Sequence, residues 1–111
     1  MTHQMKLHNS PFYSIKSGKK TIEMRLNDEK RKLIKIGDTI EFTHMENGEK
    51  VLTCVVNLTP FPSFKELYDH FDKTALGYEM DEIAHHTDMS KYYDEKEISL
   101  YGVLAIEVKL I

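Results

Sequence analysis

The sequence predicts an α+β fold, a mostly antiparallel β-barrel with flanking helices, formed by one domain over residues 1–111. Three observations predict it. Period-two alternation of apolar and polar residues marks strands at Thr21–Leu26, Thr39–His44, Lys50–Leu58 and Val103–Ile111. Asn47-Gly48 lies between two of them and signals a hairpin, because both residues tolerate positive φ. The final strand follows a long helical region and must return to the early strands, which a curved sheet achieves without leaving long open edges.

Taken in order, Met5–Leu7 is a candidate short strand. A helix follows, with Ser10 as N-cap, Pro11 at the first helical position and Gly18 as the left-handed stop. Phe12 and Ile15, with Tyr13, supply its apolar face. In Thr21–Leu26, Ile22, Met24 and Leu26 share one side and Thr21, Glu23 and Arg25 the other, the pattern of a half-buried strand. Asn27–Lys35 has no clean period and reads as a solvated loop ending at Gly37-Asp38. Pro60 and Pro62 break the chain after the third long strand. Ser63-Phe64-Lys65-Glu66 is a capping box opening a helix that buries Phe64, Leu67, Tyr68 and Phe71. Leu76–Tyr93 predicts short helical turns and loop, Asp94 caps a last helix, and Gly102 stops it.

The chain has 111 residues, 41% apolar and 30% charged, the composition of an ordinary globular domain rather than a disordered one. No apolar run approaches the roughly 20 residues that span a bilayer, and MTHQMKLHNS has no apolar signal core, so a cytoplasmic, membrane-free protein is expected. The single cysteine, Cys54, has no disulfide partner, and in the apolar run VLTCVV it is expected as a buried inert thiol rather than a nucleophile. Nothing in the sequence sets an oligomeric state.

Charge is unevenly placed. Eight of the fifteen Lys and Arg residues fall between Lys16 and Lys35 against three acids, although the whole chain carries −3. Residues 61–107 hold eleven acids and four lysines. Such asymmetry fits a nucleoside or a short single strand bound at one pole better than extended duplex.

The basic window contains Gly18-Lys19-Lys20-Thr21-Ile22-Glu23-Met24-Arg25, which fits G-x-K-x-x-E-x-R. With Pro11-Phe12 before it, Ile36-Gly37-Asp38 before a strand and Tyr101-Gly102-Val103-Leu104 before the last one, the chain resembles the ASCH domain family over nearly its whole length. The resemblance implies a PUA-like fold with a cleft beside the motif suited to RNA or a nucleobase. Some small bacterial members are amidohydrolases that deacetylate N4-acetylcytidine, and a ribonuclease activity occurs in the wider family. In the amidohydrolases the motif lysine is catalytic, with a threonine on the following strand and a later glutamate. Carried over, the lysine falls on Lys20, the threonine position is occupied by Glu23, and the later glutamate falls on Glu79, with Glu82 as an equal rival.

The residues themselves support several roles. Lys20 and Glu23 form either a functional pair or an orienting ion pair, and Glu23 is also a candidate base for activating water. As polar groups at a partly exposed cleft, they are expected to matter for stability by no more than about 1 kcal/mol. Arg25 suits a phosphate or base edge through its planar fork, or bonds Glu23 on the same strand face. Lys30, Arg31, Lys32 and Lys35 are candidate RNA-backbone contacts or simply solvated charges, and Lys19 is a further candidate ligand contact. Tyr13 and Tyr101 are candidate stacking platforms or core residues. His85-His86 are adjacent and lack metal-ligand spacing, and no P-loop, G-x-G-x-x-G or G-x-S-x-G motif is present, so neither metal nor cofactor is expected. The reading is an RNA- or nucleoside-binding domain with its cleft at Lys20, Glu23 and Arg25. The alternatives are a metal-independent amidohydrolase acting on a modified nucleoside such as N4-acetylcytidine, and a module for an acidic peptide.

Overall fold

The computed structural model describes residues 1–111. Five strands form one curled sheet: β1 (Thr2–Leu7), β2 (Ile22–Leu26), β3 (Thr39–His44), β4 (Lys50–Phe61) and β5 (Val103–Leu110), in the order β1-β3-β4-β5-β2. The β1–β3 ladder is parallel and the other three are antiparallel. Helices α1 (Asn9–Lys16), α2 (Phe64–His70) and α3 (Glu95–Tyr101) flank it, with 3-10 turns at Arg31–Leu33 and His86–Lys91. The result is a half-barrel whose end strands, β1 and β2, do not pair. Arg25 Nη2 reaches across this seam to the Lys6 carbonyl at 3.2 Å.

Several boundaries differ from the sequence reading, each for a local reason. Helix α1 starts before Pro11, with His8 rather than Ser10 as the preceding cap residue. Proline remains tolerated because the N–H of a first-turn residue has no helical partner. Strand β4 continues through Pro60, which pairs with Leu104 of β5. β3 pairs with β4 only as far as Cys54, so the side of Pro60 that cannot donate faces no strand. In the hairpin Gly48 alone takes positive φ (75°), while Asn47 Oδ1 accepts the Glu49 N–H at 2.8 Å. The Ser63 hydroxyl meets the Glu66 carboxylate instead of capping the α2 backbone.

The sheet separates two apolar clusters. Phe12, Ile15, Ile40, Phe42, Leu104 and Ile106 fill the concave side. Ile22, Met24, Phe64, Leu67, Val103 and Ala105 pack on the convex side beneath α2 and the 72–93 segment. Strand β5 feeds both clusters, which is why its apolar run is nearly continuous. Strand β2 serves them unequally. Its partners place Glu23 opposite Ile106 and Arg25 opposite Leu104, so its polar face turns toward the concave side and its apolar face toward the helices.

Candidate functional site

Lys20 lies just before β2, where the chain is pinned from two directions. Gly18, at φ 85°, takes the left-handed turn out of α1. The Lys20 N–H then donates to the Ser14 carbonyl at 3.0 Å, and the Thr21 and Ile22 N–H groups share the Ala75 carbonyl. The lysine stem lies along Gly77. A Cβ added there would stand 3.0 Å from Lys20 Cδ, and the φ of 107° also disfavours other residues. Because Lys20 precedes the pleated segment, strand alternation does not fix its direction, and its ammonium reaches Glu23.

Glu23 lies between two cations. Its Oε1 is 3.0 Å from Lys20 Nζ. Its Oε2 accepts from Arg25 Nε at 2.9 Å and Nη2 at 2.8 Å. Lys20 and Glu23 are 7% and 4% exposed, so the partly exposed cleft expected from the sequence is in fact a buried ionic cluster. Burial by itself pushes the Glu23 carboxyl up, but the charges and hydrogen bonds of Lys20 and Arg25 outweigh it and hold the group below its usual range. Burial pulls the Arg25 guanidinium down, and Glu23 more than restores it. Two cations around one carboxylate leave a surplus positive charge in a poorly solvated place. Glu23 is the one protein ion-pair partner of the Lys20 ammonium, which has three donors.

This cluster forms the floor of a cleft of about 550 Å³, within the range of small-molecule sites, roughly 300–1,000 Å³. One wall is aromatic: Tyr68, Tyr78, Tyr92 and Tyr93. Tyr68 and Tyr78 hydroxyls meet at 2.8 Å, and Tyr78 donates to Asp88 Oδ2 at 2.7 Å. Burial raises both phenols, keeping them neutral donors. Burial likewise raises Tyr93, against the cations of Arg25 and Arg31. The cleft acids are already engaged: Asp88 by Tyr78, and Glu82 Oε1 by the Glu79 N–H at 2.7 Å. No group of three or more His, Cys, Asp or Glu side chains is arranged to hold a metal ion.

Of the residues singled out in the sequence, the structure brings Lys20, Glu23 and Arg25 together at this floor. Lys19 and Glu79 instead pair with each other at 2.8 Å on the surface, and Glu82 is the later glutamate that lines the cleft. Tyr13 donates to Glu49 at 3.0 Å beside the β3–β4 hairpin, away from the cleft. Tyr101, the last residue of α3, does not line it either. Arg31 bonds Asp28 at 2.9 Å and Lys32 approaches Glu29 at 3.9 Å, while Lys30 stays unpaired. None of the three loop residues reaches the cleft. His85 holds a turn together. Its Nδ1 accepts the Thr87 N–H, and Asp88 accepts the His85 N–H in return, capping the His86–Lys91 turn.

The tyrosine wall was not picked out in the sequence. Tyr68 has helical spacing with core residues, and its hydroxyl joins the cleft wall with that of Tyr78, which comes back to meet it. Tyr92-Tyr93 immediately before the Asp94 cap offered a local signal, since adjacent aromatics ahead of an N-cap cannot both enter the core. Tyr93 stacks on Phe64 with centroids 5.9 Å apart, while Tyr92 is half exposed.

Comparison with known proteins agrees with this architecture. A search of curated proteins found no match. The crystal structure of the hypothetical protein PH0355 aligns over 100% of both chains at 35% identity with a TM-score of 0.80. The solution structure of PF0455 from Pyrococcus furiosus aligns over 100% of this chain and 98% of its own at 33% identity, TM-score 0.72. A ZmASCH mutant from Zymomonas mobilis shares the fold at 13% identity, covering 97% of this chain and 67% of its own, TM-score 0.69. The ASCH domain profile matches residues 5–111. With the half-barrel and the G-x-K-x-x-E-x-R segment at its seam, the chain belongs to the ASCH domain family and has its PUA-like fold.

Proposed function

We propose that this protein binds single-stranded RNA by taking one nucleobase into the cleft above Lys20, Glu23 and Arg25. The observation that carries the reading is the buried cluster of two cations and one carboxylate opening into a tyrosine-walled cavity. A surplus positive charge in a low-dielectric floor favours a ligand that presents carbonyl oxygens or ring nitrogens as acceptors. The tyrosine faces supply stacking, which accepts any base. Family membership supports RNA as the class of ligand. Calorimetric titration with short single-stranded RNA and with free nucleosides tests this. Binding should be weak, fall with salt, and disappear in Lys20→Met. Absence of binding to both ligands at millimolar concentration would sink it.

A second reading is favoured by one observation: Glu23 is an ionised carboxylate inside the cleft, within reach of two cations. In an amidohydrolase acting on N4-acetylcytidine, Glu23 would take a proton from water as the water oxygen bonds the acetyl carbon. Lys20 and Arg25 would hold the resulting oxyanion. Cleavage of the C–N bond would then return the proton to the departing amine, giving cytidine and acetate. A carboxylate held below its usual range is a weak base, which ranks this reading second. Incubation with N4-acetylcytidine, followed by chromatography for cytidine, decides it. If cytidine appears, Glu23→Thr separates the two roles. A rise in activity assigns the base elsewhere; a loss in protein that thermal unfolding shows to be still folded assigns it to Glu23.

A further inference from the structure

The cleft has a second charged zone at its mouth, separate from the buried floor. Lys6 and His8, from the end of β1 and the residue before α1, line one side. Lys91 and Tyr92, from the end of the His86–Lys91 turn, line the other. His8 and Lys91 both lie against Tyr92, with the His8 ring centroid 6.5 Å from the Tyr92 ring and Lys91 Nζ 5.3 Å from it. Lys16, Lys19, Lys20, Arg25, Arg31, Lys32, Lys50 and Lys65 all have acidic partners. Lys30, Lys35, Lys73, Lys96 and Lys109 lack one but lie outside the cleft; Lys6 and Lys91 lack one within it, where Glu82 and Asp88 accept from the Glu79 N–H and the Tyr78 hydroxyl instead.

We propose that this mouth is a phosphate subsite, so that the preferred ligand is a phosphorylated nucleotide or a nucleotide within a strand, rather than a free nucleoside. The inference rests on the base-in-cleft reading above and adds the ligand class. With the base over Glu23 and against the tyrosines, the sugar-phosphate must leave through the opening. There two exposed lysines without acidic partners, Lys6 and Lys91, line the same cleft as the half-exposed ring of Tyr92. Lysine suits this role as a point charge that binds phosphate from several directions. An unpaired lysine has no internal ion pair to break before it takes a phosphate oxygen.

The test compares a nucleoside, its 5′-monophosphate, its 3′-monophosphate and a dinucleoside monophosphate by calorimetry at fixed ionic strength. The phosphorylated ligands should bind about tenfold more tightly than the nucleoside, the worth of one charge-assisted contact. Preference for a monoester assigns the subsite to terminal phosphates, and preference for the dinucleotide assigns it to the strand backbone. In Lys6→Ala/Lys91→Ala the ratio of nucleotide to nucleoside affinity should fall to near one. In Lys96→Ala/Lys109→Ala, which removes the same charge from unpaired lysines outside the cleft, it should keep its wild-type value. Equal affinity for nucleoside and nucleotides in the wild type overturns the subsite and leaves the base cleft standing. So does a ratio that survives in the mouth variant or collapses equally in both variants. If neither nucleoside nor nucleotide binds, both the subsite and the base cleft fail. Both mouth lysines are exposed, and thermal unfolding of each variant confirms that folded protein is being compared.

Discussion

The basic window of the sequence divides in the folded protein into two regions with opposite physics. Lys20 and Arg25 leave the solvent and share Glu23 at the floor of the cleft. Lys16, Lys19 and Lys32 stay exposed and Arg31 is partly buried outside the cleft, each matched to a separate acid: Glu49, Glu79, Glu29 and Asp28. A cluster of positive charge in sequence is therefore not a positive surface in space. The outer cations are largely neutralised within the chain. The inner ones keep a surplus, because two of them have one acid between them.

The inner region should respond most strongly to substitution. Glu23→Ala leaves two buried cations without a counter-charge and removes the acceptor of Arg25, whose other bond closes the β1–β2 seam at Lys6. Breaking a buried pair in this way costs about 3–5 kcal/mol, so urea unfolding should show a large drop or no folded protein. A loss below about 1 kcal/mol, the scale of exposed pairs, would place Glu23 in the same class as the outer acids and erase the contrast.

Lys20→Ala comes next. The sequence suggested a partly exposed site and a small cost, but burial at 7% and packing along Gly77 change the expectation. Glu23 keeps Arg25 as a partner, so the loss should be smaller than for Glu23→Ala, about 1–3 kcal/mol for an impaired buried bond. RNA binding should vanish while the protein still folds. If the surviving folded fraction binds RNA as well as wild type does, the cluster is structural only.

Most of the fold was legible in the sequence because its strands obey one rule each. Thr39–His44 alternates in sequence and in burial, since one face meets the concave core and the other lies nearer solvent. Val103–Leu110 was readable as a strand, although its two buried faces could not be assigned from alternation alone. β2 shows where the rule fails. Its apolar side was the natural candidate for the interior, yet it packs under helices while Glu23 and Arg25 turn to the concave side. Periodicity reports that two faces differ, but not which one a neighbouring element will cover. For the same reason the motif residues were found and the tyrosine wall was missed. Lys20, Glu23 and Arg25 are close in sequence, whereas Tyr68 and Tyr78 meet only through the fold.

Acid sharpens the comparison further. Glu23 is held below its usual value by Lys20 and Arg25 against burial. Asp38 is lowered to about 2, first by its bond to His3, then by the Lys35 N–H and the chain's amino terminus. A carboxyl whose folded pKa lies below its unfolded one contributes stability that is complete above the unfolded value. That contribution is lost as pH falls through the folded value. The unfolded references are 4.5 and 3.8, so stability should decline from about pH 4.5 toward pH 2. Urea midpoints measured across that window should fall less steeply in Asp38→Asn than in wild type. A still flatter limb is expected in any Glu23→Gln that folds. Parallel acid limbs in all three proteins would mean that neither carboxyl binds protons differently in the folded and unfolded states.

The smallest effect belongs to the outer loop, and it tests the division most directly. Lys30, Arg31 and Lys32 are the residues that a charge count would choose as an RNA contact, yet none lines the cleft and two are matched to Asp28 and Glu29. If all three met phosphates, replacing them by alanine would flatten the dependence of log affinity on log salt by up to about three single-strand contacts, roughly 0.7 each. Pairing within the chain predicts less: about one contact's worth, from the unpaired Lys30, and a change in stability within about 0.5–1 kcal/mol. The slope is measured with short single-stranded RNA between low and moderate salt. A loss of three contacts would show that Arg31 and Lys32 exchange their acids for phosphate when RNA arrives. The outer region would then be a second binding surface rather than a neutralised one.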